Sequence, residues 1–349
     1  MNVTKSFITS PAGVITIFSI LNSSGASVDL STLGAAILAV RVPDRDGNVE
    51  NVALSYANPA DYMADGPCMG KIPGRYANRI ARGHLDIDGK TYQLAINNGP
   101  NALHGGPSGF QNHIWEAEEL PDGVRFRYVS KDGEENYPGN LTVTAEYRWS
   151  EENVLSLVLT AETDAPTVVN LTNHAYFNLD GADSGSVLRH RMKIKASRYL
   201  PTDYTQIPTG ELVPVAGTPM DFTASKEIGK EIFAEFEPLK IGKGYDHCWV
   251  IDEWEKGKLI DEVVLLEAER SGRTLRVGTS QPGVQIYTGN WLSGSPLNCS
   301  GRSYEDYDGV AIEMQGFPDA PNKPDFPSQR LDPGEIYSRT IKFAFGVEK

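Results

Sequence analysis

The decapeptide Asn170-Leu171-Thr172-Asn173-His174-Ala175-Tyr176-Phe177-Asn178-Leu179 sets one histidine among amides, hydroxyls and two aromatic rings. The β-prone pair Val168-Val169 leads into it. A histidine titrates near pH 6.5 and so can move protons near neutrality. The amides can grip hydroxyl groups, and the rings offer flat apolar faces. Together these groups suit a sugar better than a phosphate, a metal or a nucleic acid.

Four further segments gather polar groups in β-type surroundings. Gly74–Ile80 places the Asn78 amide beside the Arg79 guanidinium, with Arg75 close by. Asn98–Gly106 carries His104 ahead of two glycines, where backbone can approach a ligand closely. Gly244-Tyr245-Asp246-His247 puts a carboxylate on a turn before the apolar run Trp249-Val250-Ile251. Ala311–Gln315 ends a strand with Glu313 ahead of a Pro-rich loop. Taken singly, each has a plain structural reading. His104 would hydrogen-bond within the fold, Asp246 would cap its turn, Arg79 would pair at the surface and Glu313 would alternate with Ile312 toward solvent. Only their combination raises a chemical reading above these.

Strands must position these groups. Ile15–Ile20, Val28–Val42, Val124–Val129, Leu141–Trp149 and Val154–Ala161 alternate or are β-branched, with turn signals at Asp46-Gly47, Asp132-Gly133 and Glu151–Asn153. Leu85–Ile87, Asp88-Gly89 and Thr91–Leu94 read as a tight hairpin. Further strands are expected at Met192–Ile194, Val263–Glu267, Thr274–Gly278, Val284–Tyr287, Val310–Glu313 and Ile336–Phe345. Helical periodicity is scarce, and one short helix is expected within Ala224–Phe236. Many short strands with frequent turns indicate an all-β fold, a sandwich or barrel. With no linker composition, charge shift or repeat, one domain over residues 1–349 is expected.

The composition excludes several classes. Of 349 residues, 40% are apolar and 22% charged, as in ordinary globular proteins. A net charge of −14 opposes binding to nucleic acid or to an anionic membrane surface. No apolar run approaches the roughly 20 residues of a membrane span, and no secretory signal is visible, so a cytoplasmic location is expected. Cys68, Cys248 and Cys299 have no metal-like spacing and read as buried, reduced thiols. There is no GxGxxG, no phosphate-binding GxxxxGK[ST], no HExxH and no GxSxG, and the six histidines are dispersed. Neither a cofactor nor a metal is therefore expected.

Order, spacing and local wording of these segments resemble the aldose 1-epimerases, or galactose mutarotases, over about Pro11 to Val347. Asn170–Leu179 fits the family's signature throughout. Gly74–Ile80, Leu103–Gly106, Thr202-Asp203, Pro208-Thr209-Gly210, Tyr245-Asp246-His247, Pro282–Asn290 and Glu313 with Pro318-Asp319-Ala320 support it. Pro73, Cys248 and Trp249 are mild departures.

The resemblance implies a large twisted antiparallel β-sandwich with few short helices, a monosaccharide as the partner, and a monomer or homodimer. It also implies interconversion of the α- and β-anomers of aldohexoses such as galactose and glucose. Glu313 would be the base at the C1 hydroxyl and His174 the acid at the ring oxygen, with the Glu313 anion helping to keep His174 protonated. His104, Asn78, Arg79, Asp246 and Gln285 would bind the sugar, Tyr176 would line the cleft, and Phe177, Trp291 or Phe317 would stack on the ring. Asn173 and Asn178 would anchor the strand. A hexose 6-phosphate mutarotase, a non-catalytic sugar-binding protein and a glycosidase or lyase module on the same sandwich are the competing readings.

Overall fold

A computed structural model describes residues 1–348. The expected alternation becomes geometry in the strands Leu141–Trp149 and Val154–Thr163, which pair antiparallel with Ala145 opposite Leu159. Leu141, Val143, Ala145, Tyr147 and Trp149 are buried, as are Leu155, Leu157, Leu159 and Ala161. A period of two thus puts one apolar row on the core side of each strand. These strands belong to a nine-stranded sheet. Its middle is completed by the C-terminal strand Tyr337–Val347, which lies between Val154–Thr163 and Arg273–Thr279.

A five-stranded sheet built from Asn2–Pro43 and Val49–Asn51 precedes it in sequence. A six-stranded sheet carries the strands Tyr176–Phe177, Val310–Gln315, Gly283–Tyr287, Asp246–Val250, Arg198–Tyr199 and Val213–Pro214, in that spatial order. One apolar cluster joins all three sheets, from Phe18 and Val40 through Leu157 to Val284, Ile312 and Phe345. All pairings within these sheets are antiparallel, and the fold is the all-β sandwich that the turn-rich sequence suggested. The hairpin at Asp88-Gly89 forms with both residues at positive φ, as a two-residue turn between right-twisted strands requires.

Two expectations are corrected. The Ala224–Phe236 segment is not a helix. It forms the short strand Lys226–Glu227 and a 3-10 turn at Ile228–Lys230. Its backbone finds partners in the turn ahead of the strand Arg191–Ile194, through Ile228 N–H to His190 O and Gly229 N–H to Leu188 O, instead of four residues back along the chain. The only α-helix among the described residues is Glu237–Gly242, with Pro238 in its first turn. Of the three cysteines, Cys68 and Cys248 are buried, but Cys299 is exposed.

Candidate active site

The six-stranded sheet lays out the site as a grid. Residues opposite one another in an antiparallel ladder share a face, as do residues two apart on one strand. One row runs Tyr176, Ala311, Tyr287, Asp246. The next row runs Glu313, Gln285, Cys248. The alternate residues Ile312, Met314, Val284 and Ile286 point the other way, into the main core. Glu313 therefore does not alternate toward solvent. It is 2% exposed, because chain segments cover the second face of the sheet as well.

His174 arrives from the irregular stretch ahead of Tyr176, and the amides of the signature fix its course. Asn170 donates to Ala77 O and accepts from Gly316 N–H. Asn173 donates to Gly70 O and accepts from Ala175 N–H. Asn178 anchors the following strand through Gly185 O and Asp308 O. The His174 backbone itself bonds Lys71 O and Gly70 N–H. Behind that segment the fully buried Lys71 pairs with Asp65 and donates to Tyr62 O, a buried ion pair that sequence reading missed. The result places His174 Nε2 at 3.5 Å from Glu313 Oε1.

The facing wall comes from two short strands, Arg79–Ile80 and Ala102–Leu103, paired antiparallel. Asn78 and His104 flank this pairing, both at positive φ. Asn78 N–H donates to His104 Nδ1 at 3.1 Å, which leaves the neutral ring with its proton on Nε2. The glycine after His104 does approach a backbone closely, but the neighbour is protein. A Cβ on Gly105 would lie 1.9 Å from Gly74 O.

Asn78, Arg79, His104, His174, Tyr176, Asp246 and Glu313 all line one cavity of about 400 Å³. Gln285 is the exception among the anticipated residues. It stands one layer back, where its Nε2 donates to Asp246 Oδ1 at 2.6 Å. The strand period fixed which face it shares with Glu313 but not its depth. Asn98, Gln206, Tyr287 and Trp291 are also among the lining residues. Gln206 was missed, although Thr202-Asp203 and Pro208-Thr209-Gly210 bracket it. Of the three aromatic candidates, Phe177 packs on Phe343 and Phe345 in the core and Phe317 packs on Phe326. Only Trp291 stands at the cavity, 65% exposed, with the Lys243 ammonium 4.4 Å from its ring centre.

Burial governs the charges here. It pushes His174 down to about 4, with Asp246 opposing and Lys71 adding to the shift. It holds the Glu313 carboxyl well above its usual range, and the nearby Asp246 anion pushes the same way. Burial also drives His104 far below the usual histidine range, followed by the charges of His174 and Arg79. The expectation that the Glu313 anion keeps His174 protonated is therefore corrected. Desolvation disfavours the charged form of both groups and so opposes any support that the Glu313 anion gives the imidazolium.

A buried histidine–carboxylate pair 3.5 Å apart on a β-sheet floor, walled by amides and a guanidinium, has the groups that an acid–base site for a polyhydroxylated ligand needs. The chain belongs to the aldose 1-epimerase family, whose model matches residues 16–344. It is 41% identical over 338 residues to the galactose mutarotase of Sus scrofa, covering 97% of this chain and 96% of the relative. The aldose 1-epimerase of Escherichia coli (strain K12) is 39% identical over 330 residues, with 94% of each chain covered. An aldose epimerase homologue from C. elegans has a similar solved structure. Its TM-score is 0.87 at 30% identity, covering 99% of this chain and all of that one.

Proposed function

We propose that this protein interconverts the α- and β-anomers of free aldohexoses such as galactose and glucose. The observation that carries the reading is the His174–Glu313 pair, 3.5 Å apart at the floor of the cleft, where burial works against charge on both groups and so favours one proton held between them, on Glu313 at rest. Anomer exchange requires removal of the C1 hydroxyl proton and donation of a proton to the ring oxygen. The opened aldehyde then turns about its C1–C2 bond and recloses with the roles reversed. A pair holding one proton is in the right state for both directions.

Glu313 takes the C1 hydroxyl proton and His174 protonates the ring oxygen. The reactive arrangement, carboxylate beside imidazolium, differs from the resting one only by moving a proton between the two groups. A sugar hydroxyl donating to Glu313 favours the carboxylate and so promotes that move. His104, with its proton fixed on Nε2, is a neutral donor that supports negative charge developing on a sugar oxygen. Asn78, Arg79 and Asp246 bind the remaining hydroxyls, Tyr176 shapes the floor, and Gln285 orients Asp246.

The phosphorylated-sugar reading loses support at its cations. Arg75 is 1% exposed and donates to Pro138 O, Thr167 Oγ1 and Ser130 Oγ, inside the fold. Arg79 already has the Asp246 carboxylate 3.8 Å away, an anion that would repel a phosphate. Among the described residues no helix is long and apolar enough to cross a membrane. The unpaired thiols fit a reducing compartment, which supports the cytoplasm as its location. Polarimetry or NMR on freshly dissolved α-galactose and α-glucose tests the activity. The enzyme is expected to speed equilibration well beyond buffer, and no acceleration with any aldose would overturn the reading.

A further inference from the structure

Gln206, on the Asp203–Ile207 turn, lines the cleft beside Arg79 and Asp246. Asp203 Oδ1 accepts from the Thr205 N–H and hydroxyl, both at 2.7 Å, and Asp203 N–H donates to Ile207 O at 2.9 Å. Within this turn Gln206 has a φ of 64°, in the left-handed region that a side-chain-bearing residue seldom enters. Its side chain reaches into the cleft and bonds at both ends. Oε1 accepts from Arg79 Nη2, and Nε2 donates to Asp246 Oδ2 at 3.0 Å. An amide thus stands between a guanidinium and a carboxylate whose own nearest atoms are 3.8 Å apart. Two more amides hold the outer sides of the same groups, Asn98 on Arg79 Nε at 3.0 Å and Gln285 on Asp246 Oδ1 at 2.6 Å.

The position of this cluster relative to Glu313 gives it a target. Asp246 lies on a strand two removed from that of Glu313, roughly 10 Å across the sheet at about 4.8 Å per strand. A pyranose with its C1 hydroxyl at Glu313 therefore turns the opposite side of its ring, carrying the C3 and C4 hydroxyls, toward Arg79 and Asp246. A guanidinium and a carboxylate left to themselves at this distance would close into a direct ion pair and spend their bonding capacity on each other.

We propose that Gln206 is a specificity-determining residue: by bridging Arg79 and Asp246 it keeps the two from pairing directly and holds both for the hydroxyls remote from C1. This deepens the proposed aldose 1-epimerase reading and rests on it. The role is one of positioning, and it is expressed in sugar affinity and sugar choice instead of in the proton transfers.

Gln206→Met keeps the shape of the side chain and removes both bonds. The KM for galactose is expected to rise about tenfold, the scale of one hydrogen bond to a charged group, with kcat within threefold of wild type and the thermal midpoint unchanged. At least one of 3-deoxy- and 4-deoxygalactose is expected to lose this sensitivity, because the hydroxyl that Gln206 serves is missing from it. Gln206→Glu keeps an acceptor for Arg79 but sets a second carboxylate beside Asp246, and is expected to raise the KM as well.

A KM within twofold of wild type in Gln206→Met overturns the proposal. So does an equal rise for galactose and both deoxy sugars, or a kcat that falls in step with the rise in KM. Should Gln206→Met fail to fold, Gln206→Glu decides by the same criteria. Failure of wild type to accelerate any aldose is a separate result, which removes the underlying reading.

Discussion

The two ends of the cleft are built on opposite principles. At the far end both charged groups have partners: four hydrogen bonds tie Arg79 and Asp246 to Asn98, Gln206 and Gln285. At the reacting end His174 Nδ1 and Glu313 Oε2 find no partner within the protein, although both residues are almost fully buried. A buried polar group left unsatisfied costs about 1–3 kcal/mol. At the proposed acid–base pair these open positions leave room for bonds to a ligand, whereas Arg79 and Asp246 are already held by amides. Satisfied groups are fixed in place, whereas unsatisfied ones are poised to change their protonation.

Removing a reacting group should break the comparison most severely. Glu313→Gln and His174→Asn are each expected to lower kcat by about 10² to 10⁴-fold, with a much smaller change in KM. Polarimetry on α-galactose at saturating sugar measures this, and near-normal turnover in either variant removes that residue from the chemistry. Glu313→Gln should also stabilise the fold at pH 7. Burial raises the folded-state pKa of Glu313 above its ordinary value of 4.5, so the stability it contributes is fully present below 4.5 and is lost as pH rises toward the folded value. Glutamine has no charge to bury and escapes that loss. Thermal unfolding should therefore show a higher midpoint for Glu313→Gln at pH 7 and a narrower gap at pH 4.

The same shifts predict the pH profile. Below about 4 His174 gains a proton while Glu313 keeps its own, and the pair has no base left. Above the raised Glu313 value the pair loses its only proton and has no acid. The kcat/KM profile is expected to fall about tenfold per pH unit below about 4 and to fall again on an alkaline limb set by Glu313, well above the usual carboxylate range. A limb centred near 6.5 would show instead that His174 titrates as if exposed.

The reacting end was legible in the sequence because chain order and local wording carry it. His174, Glu313, His104 and Arg79 sit in short runs whose neighbours, such as Asn170 and Asn173, are themselves needed to fix the backbone. The far end was less legible. Gln206 works through partners 127 and 40 residues away, and the matching segments on either side of its turn do not include it. Gln285 was recognised but set too far forward, since alternation reveals the face of a strand and not which layer meets the cavity. Proximity of Glu313 to His174 could be inferred, whereas the burial that works against charge on both depends on chain packed above the sheet. The helix expected at Ala224–Phe236 failed for a similar reason: partners at Leu188 and His190 outcompeted local bonding.

A far-end substitution should weaken binding without stopping the chemistry. Asp246→Asn keeps the shape but replaces one acceptor oxygen by an amide NH2 donor, and is expected to raise the KM for galactose about tenfold while kcat changes only a few-fold. It should also move the high-pH limb. Asp246 helps to push Glu313 upward, so removing its charge lets Glu313 titrate lower and brings that limb to lower pH. A large loss of kcat with an unmoved limb would show that Asp246 belongs with the reacting groups.

The smallest effect is expected at the rim. Trp291 is 65% exposed, and Lys243, itself paired with Asp306, covers its ring at 4.4 Å while the indole still borders the cavity. Its backbone N–H donates to the Tyr287 hydroxyl, which fixes where the ring stands without depending on its side chain. Trp291→Ala therefore removes an aromatic face and little else. An aromatic contact beyond simple area burial is worth about 0.5–1.5 kcal/mol, or roughly 2- to 12-fold in affinity. The lower part of that range suits so exposed a ring, and thermal stability should stay within about 0.5 kcal/mol of wild type. Polarimetric KM values for galactose and glucose should rise together, because an aromatic face reads the apolar side of a pyranose and not one hydroxyl. A rise confined to one sugar would make Trp291 a partner of the far-end cluster in choosing between them, and an unchanged KM would leave recognition to Arg79, Asp246 and the amides that hold them.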